Sequence, residues 1–141
     1  MRIRKCDIKD VYTVYDILKA NDQIGSPNVD YPEALKRIVV NDSAIFLVAE
    51  VDNKVVGMVR GVYDGSRALI HQISVHPDYQ RKGIGTALVK EIAVRFEDLG
   101  APTVSVTASE RSQVFFEKLG FNVRPIVRFM LNEDIDKIIK I

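Results

Sequence analysis

The chain has 141 residues, 47% hydrophobic and 28% charged, with a formal net charge of +1. This supports one globular domain with a single substantial core and argues against disorder; it also argues against a nucleic-acid partner, which would need a basic face. One cysteine, Cys6, excludes an internal disulfide, and two histidines, His71 and His76, are too few for a histidine metal cluster, so no metal is assigned. No apolar run approaches membrane-spanning length, and Met1-Arg2-Ile3-Arg4-Lys5 lacks a signal-peptide core. The expectation is a soluble cytoplasmic protein with no membrane partner and an open oligomeric state, monomer or homodimer.

Met1 to Cys6 alternates apolar and charged residues, as a half-buried strand does, and Cys6 reads as a small buried hydrophobe. Asp7 resembles an N-cap with Asp10 at N3, ahead of a helical stripe of Ile8, Val11, Val14, Tyr15, Ile17 and Leu18. Asn21 to Asp30 carries Gly25, Ser26, Pro27 and Asn28 and reads as a loop; a second helix follows from Tyr31 to Val40. Ala44 to Val51, Lys54 to Tyr63 and Arg67 to Val75 form a three-strand meander with turns at Asp52-Asn53 and Asp64-Gly65-Ser66. A long helix runs from about Gly83 to Leu99, a short strand spans Thr103 to Thr107, and a helix runs from Ser109 or Glu110 to Leu119. Phe121 onward is strand-like, broken at Pro125 and resumed over Ile126 to Leu131, with a short helix or tail over Asn132 to Ile141. The order predicts an α/β fold, a mixed sheet flanked by helices in one domain over residues 1–141.

The chemistry concentrates in Val75-His76-Pro77-Asp78-Tyr79-Gln80-Arg81-Lys82-Gly83-Ile84-Gly85-Thr86. Gly83 and Gly85 leave the backbone bare where a strand turns into a helix. The first helical amides have no intrahelical partner and carry the positive end of the dipole, so the turn suits a pyrophosphate. Arg81 and Lys82 would oppose that positive end unless an anion sat there. A dinucleotide fingerprint fails because Leu88 stands where its third glycine belongs, and a P-loop fails because Lys82 precedes both glycines.

Gln80-Arg81-Lys82-Gly83-Ile84-Gly85 resembles the acyl-coenzyme A pyrophosphate loop of the GNAT (Gcn5-related N-acetyltransferase) family, and Phe115-Phe116-Glu117-Lys118-Leu119-Gly120-Phe121 resembles its C-terminal signature. The separation of the two and the order of flanking elements extend the likeness over nearly the whole chain. The resemblance implies acetyl-CoA as co-substrate, with Gln80, Arg81, Lys82, Gly83, Ile84, Gly85 and Thr86 around the phosphates. It further implies that Ile73, Ser74 and Val75 meet the pantetheine arm through their main chain. Ser109 stands where an asparagine is common but still offers a hydroxyl. Phe116 stands where many members carry a tyrosine that protonates the departing thiolate; phenylalanine cannot, so it reads as packing, against the acyl-coenzyme arm. Tyr63 and Tyr79 are candidate replacement acids.

His71 would share a strand face with Leu69, Ile73 and Val75, and reads either as the base that takes the amine proton or as a sheet histidine with no catalytic part. Glu50, Asp64 and Glu110 are weaker candidates at strand ends or turns. The family's acceptor pocket is usually built from the segment between the first two helices, which here offers Asp30 and Tyr31 to a cationic amine. The expected function is direct acetyl transfer to an amine of a small molecule or protein. The alternative is a non-catalytic acyl-coenzyme A-binding regulatory module.

Overall fold

The computed structural model describes residues 1–126 and 135–141. It comprises two units, Met1–Glu110 and Arg111–Ile141. In the first, five strands lie in sequence order: β1 (Arg2–Lys5), β2 (Ala44–Val51), β3 (Lys54–Tyr63), β4 (Ala68–Val75) and β5 (Val104–Val106). The first four pair antiparallel and β5 joins β4 in parallel, so the sheet is mixed as expected. Asp52 and Asn53, both with positive φ (52° and 62°), close the β2–β3 hairpin.

On one face lie α1 (Val11–Ala20) and α3 (Pro32–Val39), entered after a 3-10 turn at Ile8–Asp10. Asp10 Oδ2 accepts from the Asp7 amide at 2.8 Å, the reach-back half of a capping box. Val11, Val14 and Leu18 of α1 and Leu35 of α3 pack with Cys6, Phe46, Val48 and Met58 into one buried cluster. The other face carries α4 (Ile84–Asp98), whose buried stripe is Ile84, Leu88, Val89, Ile92 and Phe96. Gly57 permits this close approach, since a Cβ there would meet Leu88 at 3.2 Å and Ile84 at 3.4 Å.

Two expectations are corrected in this unit. The segment read as loop to Asp30 contains a helical turn, α2 (Pro27–Asp30), because Ser26 is extended at its N-cap and Pro27 fits its first position. The strand alternation around His71 also fails. Arg60 pairs with Gln72 but Gly61 pairs with Ile70, so His71 is an extra, bulged residue. Val59 and Gly61 share a face of β3, and their partners are Ile73 and Ile70; Leu69 therefore faces the opposite way from Ile73 and Val75. Gly61 makes room for the bulge, because a Cβ there would collide with the Leu69 carbonyl and stand 3.0 Å from Phe96 Cζ.

The second unit contains most of α5 (Glu110–Lys118) and α6 (Asp136–Ile139). Gly120 (φ 97°) ends α5 with the Gly120 amide on Glu117 O at 3.0 Å and the Phe121 amide on Phe116 O at 3.1 Å. This is a Schellman close, and its apolar contact is the edge-to-face pair Phe116–Phe121, with centroids 5.4 Å apart. Residues 121–126 form no strand, Pro125 having no amide to donate to one. The rest of the strand expected to Leu131 lies outside the described residues, as do the first residues of the expected tail.

Candidate active site

β4 leads through a 3-10 turn at Pro77–Tyr79 into α4. His76 Nδ1 accepts from the Asp78 amide at 3.1 Å and caps that turn. Arg81 (φ 62°) and Gly83 (φ 83°) are both left-handed, which rolls the backbone into the helix start. Such a φ is ordinary for glycine but costs an arginine about 1–2 kcal/mol. No side chain caps α4, and the first amide to close a helical bond is Ala87, on Gly83 O at 3.1 Å. Among the described residues, the amides from Arg81 to Thr86 have no hydrogen-bond partner.

The cationic side chains complete this cradle. Arg81 is exposed and has no ion-pair or hydrogen-bond partner among the described residues. Lys82 Nζ sits 5.4 Å from the Tyr79 ring centroid, so Tyr79 underlies the turn as a cation–π partner. α4 has no acid in its first turn. Bare amides, a helix dipole and two cations without a carboxylate partner fit a pyrophosphate.

Beside the cradle the sheet opens. β4 and β5 pair only over Ala68–Val104, Leu69–Ser105 and Ile70–Val106, leaving Ile73 and Val75 with no strand on that side among the described residues. Their carbonyls are met instead by side chains that follow α1. Gln23 Nε2 donates to Ile73 O at 3.1 Å, and Asn21 Nδ2 donates to Val75 O at 2.8 Å. The exposed Gln80 also reaches this edge, donating to Val75 O at 2.9 Å and to Asn21 Oδ1 at 3.0 Å. The buried Ser74 enters through its hydroxyl, which accepts from Asn21 Nδ2 at 2.7 Å. Its carbonyl lies on the β3 side, 3.3 Å from where a Gly57 Cβ would sit. Asn21 and Gln23 were not picked out in the sequence. Two carboxamides just past a helix end are the signal that could have found them.

The remaining candidates fall in several places. His71 is exposed at the bulge, on the strand that feeds the cradle. Asp30 is buried; its Oδ2 accepts from the Gly25 amide at 2.6 Å and its Oδ1 meets Arg60 at 3.4 Å, so its charge already has partners. Tyr31 stacks edge-to-face on Tyr15 at 5.2 Å. Ser109 is exposed just before α5, while Phe116 is buried against Phe115 and Phe121. Tyr63 ends β3, with its hydroxyl 3.9 Å from a would-be Gly100 Cβ. Glu50 holds Arg4, and Asp64 Oδ1 accepts the Ser66 and Arg67 amides, which keep that carboxyl below its usual range. Burial pushes the Cys6 thiol up to about 12, which leaves it protonated and inert.

The family whose sequence profile matches the chain is described as the Acetyltransferase (GNAT) family, matched over residues 11–121 and so over most of the first unit and the start of the second. The chain belongs to this GNAT family. Solved structures share the fold at low identity. A transcriptional regulator from Bacillus halodurans C-125 is 24% identical, with a TM-score of 0.79 over 92% of this chain and 98% of that one. The PaiA N-acetyltransferase of Thermoplasma acidophilum, determined with coenzyme A, is 21% identical, with a TM-score of 0.78 over 89% and 92%. A ribosomal-protein-alanine N-acetyltransferase from Brucella melitensis biovar Abortus 2308 is 20% identical, with a TM-score of 0.74 over 94% and 100%. Among the described residues of this GNAT protein, no helix is long and apolar enough to cross a membrane, and no three metal-ligating side chains gather.

Proposed function

We propose that this GNAT protein is an N-acetyltransferase that passes the acetyl group of acetyl-coenzyme A directly to an amine of a small molecule or a protein. One observation carries the reading: the left-handed Arg81–Gly83 turn, with its unpartnered amides and cations, stands at the end of a strand whose edge is open beyond Ile70. The cradle supports pyrophosphate binding by Arg81, Lys82, Gly83, Ile84, Gly85 and Thr86. The open edge supports pairing of an extended amide-bearing arm with the main chain of Ile73 and Val75, the Asn21, Gln23 and Gln80 carboxamides yielding or sharing those carbonyls. Acetyl-coenzyme A supplies an activated thioester, and the amine nitrogen attacks its carbonyl carbon while the carbon–sulfur bond breaks.

The amine must lose a proton as it attacks, and His71 at the bulge is our candidate to take it. Coenzyme A leaves as a moderately acidic thiol, which offsets the lack of a tyrosine at Phe116. The protonated, buried Cys6 supports transfer without an acyl-enzyme. A lone buried thiol also suits the reducing cytoplasm, where we place the protein. The acceptor enters over the segment from Asn21 to Tyr31, where Asp30 fixes the loop through Gly25 and Tyr31 offers an aromatic edge. A thiol-release assay across amines, polyamines, amino acids and peptides tests the proposal. Turnover well above the hydrolysis background for at least one amine is expected. Intact coenzyme binding with hydrolysis alone would instead leave a regulatory binding module.

A further inference from the structure

Arg60 is the charged residue inside the otherwise apolar stretch of β3 from Val55 to Tyr63. Its cross-strand neighbours are Phe46 and Gln72, which places it on the sheet face covered by α1 and α3. Its side chain is only 15% exposed. A cation there needs partners, and those it has are incomplete. Nε donates to Gln72 Oε1 at 3.0 Å, and Nη2 reaches Asp30 Oδ1 at 3.4 Å, long for a charge-assisted bond. The tighter contact of Asp30 is the 2.6 Å bond from the Gly25 amide, so that carboxylate serves the loop first.

Arg60 Nη1 has no hydrogen-bond partner among the described residues. Among the described residues no buried side-chain nitrogen or oxygen lacks a partner, so Nη1 reaches solvent. Burial outweighs Asp30 and lowers the guanidinium's hold on its proton, which marks the charge as under-compensated. Its location also matters. Gln72 lies between the bulged His71 and Ile73, and its Nε2 donates to Gln23 O at 3.3 Å. Gln23 Nε2 in turn donates to Ile73 O on the open edge. A short chain of carboxamides thus joins the guanidinium to the strand edge where transfer is placed.

We infer that Arg60 receives a carboxylate on the acceptor, so that the substrate is a small amine bearing its own carboxylate, of the amino-acid class. This rests on the acetyltransferase reading above. Nη1 and the second hydrogen of Nη2 present a planar fork, and a carboxylate matches it with two parallel bonds. A neutral carboxamide or a decarboxylated amine of the same shape leaves the guanidinium unmet.

The test pairs amino acids with their carboxamides and decarboxylated amines in the thiol-release assay, with acetyl-coenzyme A titrated in parallel. The best amino acid should exceed its carboxamide at least tenfold in kcat/KM. Arg60→Lys keeps the charge and loses the fork, so it should raise KM for the amino acid severalfold while leaving the carboxamide and coenzyme affinity unchanged. Gln72→Glu, which supplies Arg60 with a competing carboxylate, should erase the preference even if the Arg60 variant folds poorly. Equal turnover of acid and carboxamide by the wild-type chain would overturn the inference while leaving the acetyltransferase intact. An equal effect of both variants on the two substrates would do the same. Absent coenzyme binding would remove the acetyltransferase reading, and this inference with it.

Discussion

Replacing Arg81 with glycine should separate coenzyme binding from folding. Arg81 holds φ 62°, which costs an L-residue about 1–2 kcal/mol. Glycine removes that strain but adds about 0.4–1 kcal/mol of unfolded-chain entropy. The side chain has no partner to lose among the described residues. Stability should therefore rise by at most about 1.6 kcal/mol. A charge-assisted contact to phosphate contributes about 1.5–3 kcal/mol, and 1.4 kcal/mol is tenfold, so acetyl-coenzyme A affinity should fall roughly 10- to 150-fold. Calorimetric titration gives the affinity, and urea melts of the same preparations give the stability. Affinity within twofold of wild type would show that the backbone amides alone hold the phosphates. A stability loss above about 2 kcal/mol would refute the strain argument.

Gly61→Ala should cost about 3 kcal/mol, the upper end for overpacking, because the added Cβ meets the Leu69 backbone and Phe96 rather than a movable side-chain tip. A melting point lower by roughly 6–12 °C is expected, at about 2–4 °C per kcal/mol; an unchanged one would deny the tight bulge. Asp10 titrates below its usual range: burial alone would raise it, but hydrogen bonds from Arg4 and the Asp7 amide outweigh that. A depressed carboxyl adds stability above its unfolded value near 4 that is lost as pH falls through the folded value. Asp10→Asn should flatten the loss of urea stability as pH falls below about 4, and an unchanged slope would contradict this. Cys6→Ser should keep turnover within about twofold, since the thiol is buried and protonated at neutral pH. Loss of turnover with folding and coenzyme binding intact would argue for a covalent intermediate.

The left-handed turn into α4 was legible because its demands are local. Gly83 needs φ 83°, and only a few residue types adopt that freely. Helix and strand spans followed from periodicity for the same reason, as in the stripe of α4 and the Asp52-Asn53 hairpin. The bulge at His71 escaped because alternation assumes an uninterrupted ladder, and the residue that permits the break, Gly61, lies on the neighbouring strand. Asp30 read as a loop acid offered to a cationic amine, whereas it is buried and already partnered. Its partners, Gly25 and Arg60, lie five residues back and thirty ahead. An arginine inside an apolar strand was the available sign that some acid is buried beside it. The helical turn at Pro27–Asp30 was signalled by Ser26-Pro27, a fitting N-cap and first position. Gly25 just before it and Asn28 within it favoured a loop.

The central claim is that the Arg81–Thr86 cradle and the open β4 edge receive acetyl-coenzyme A. Titration calorimetry of the full chain with acetyl-coenzyme A, and separately with NAD, tests it most directly. Saturable one-to-one binding of acetyl-coenzyme A and no heat from NAD are expected. Tight NAD binding with no coenzyme signal would contradict the account.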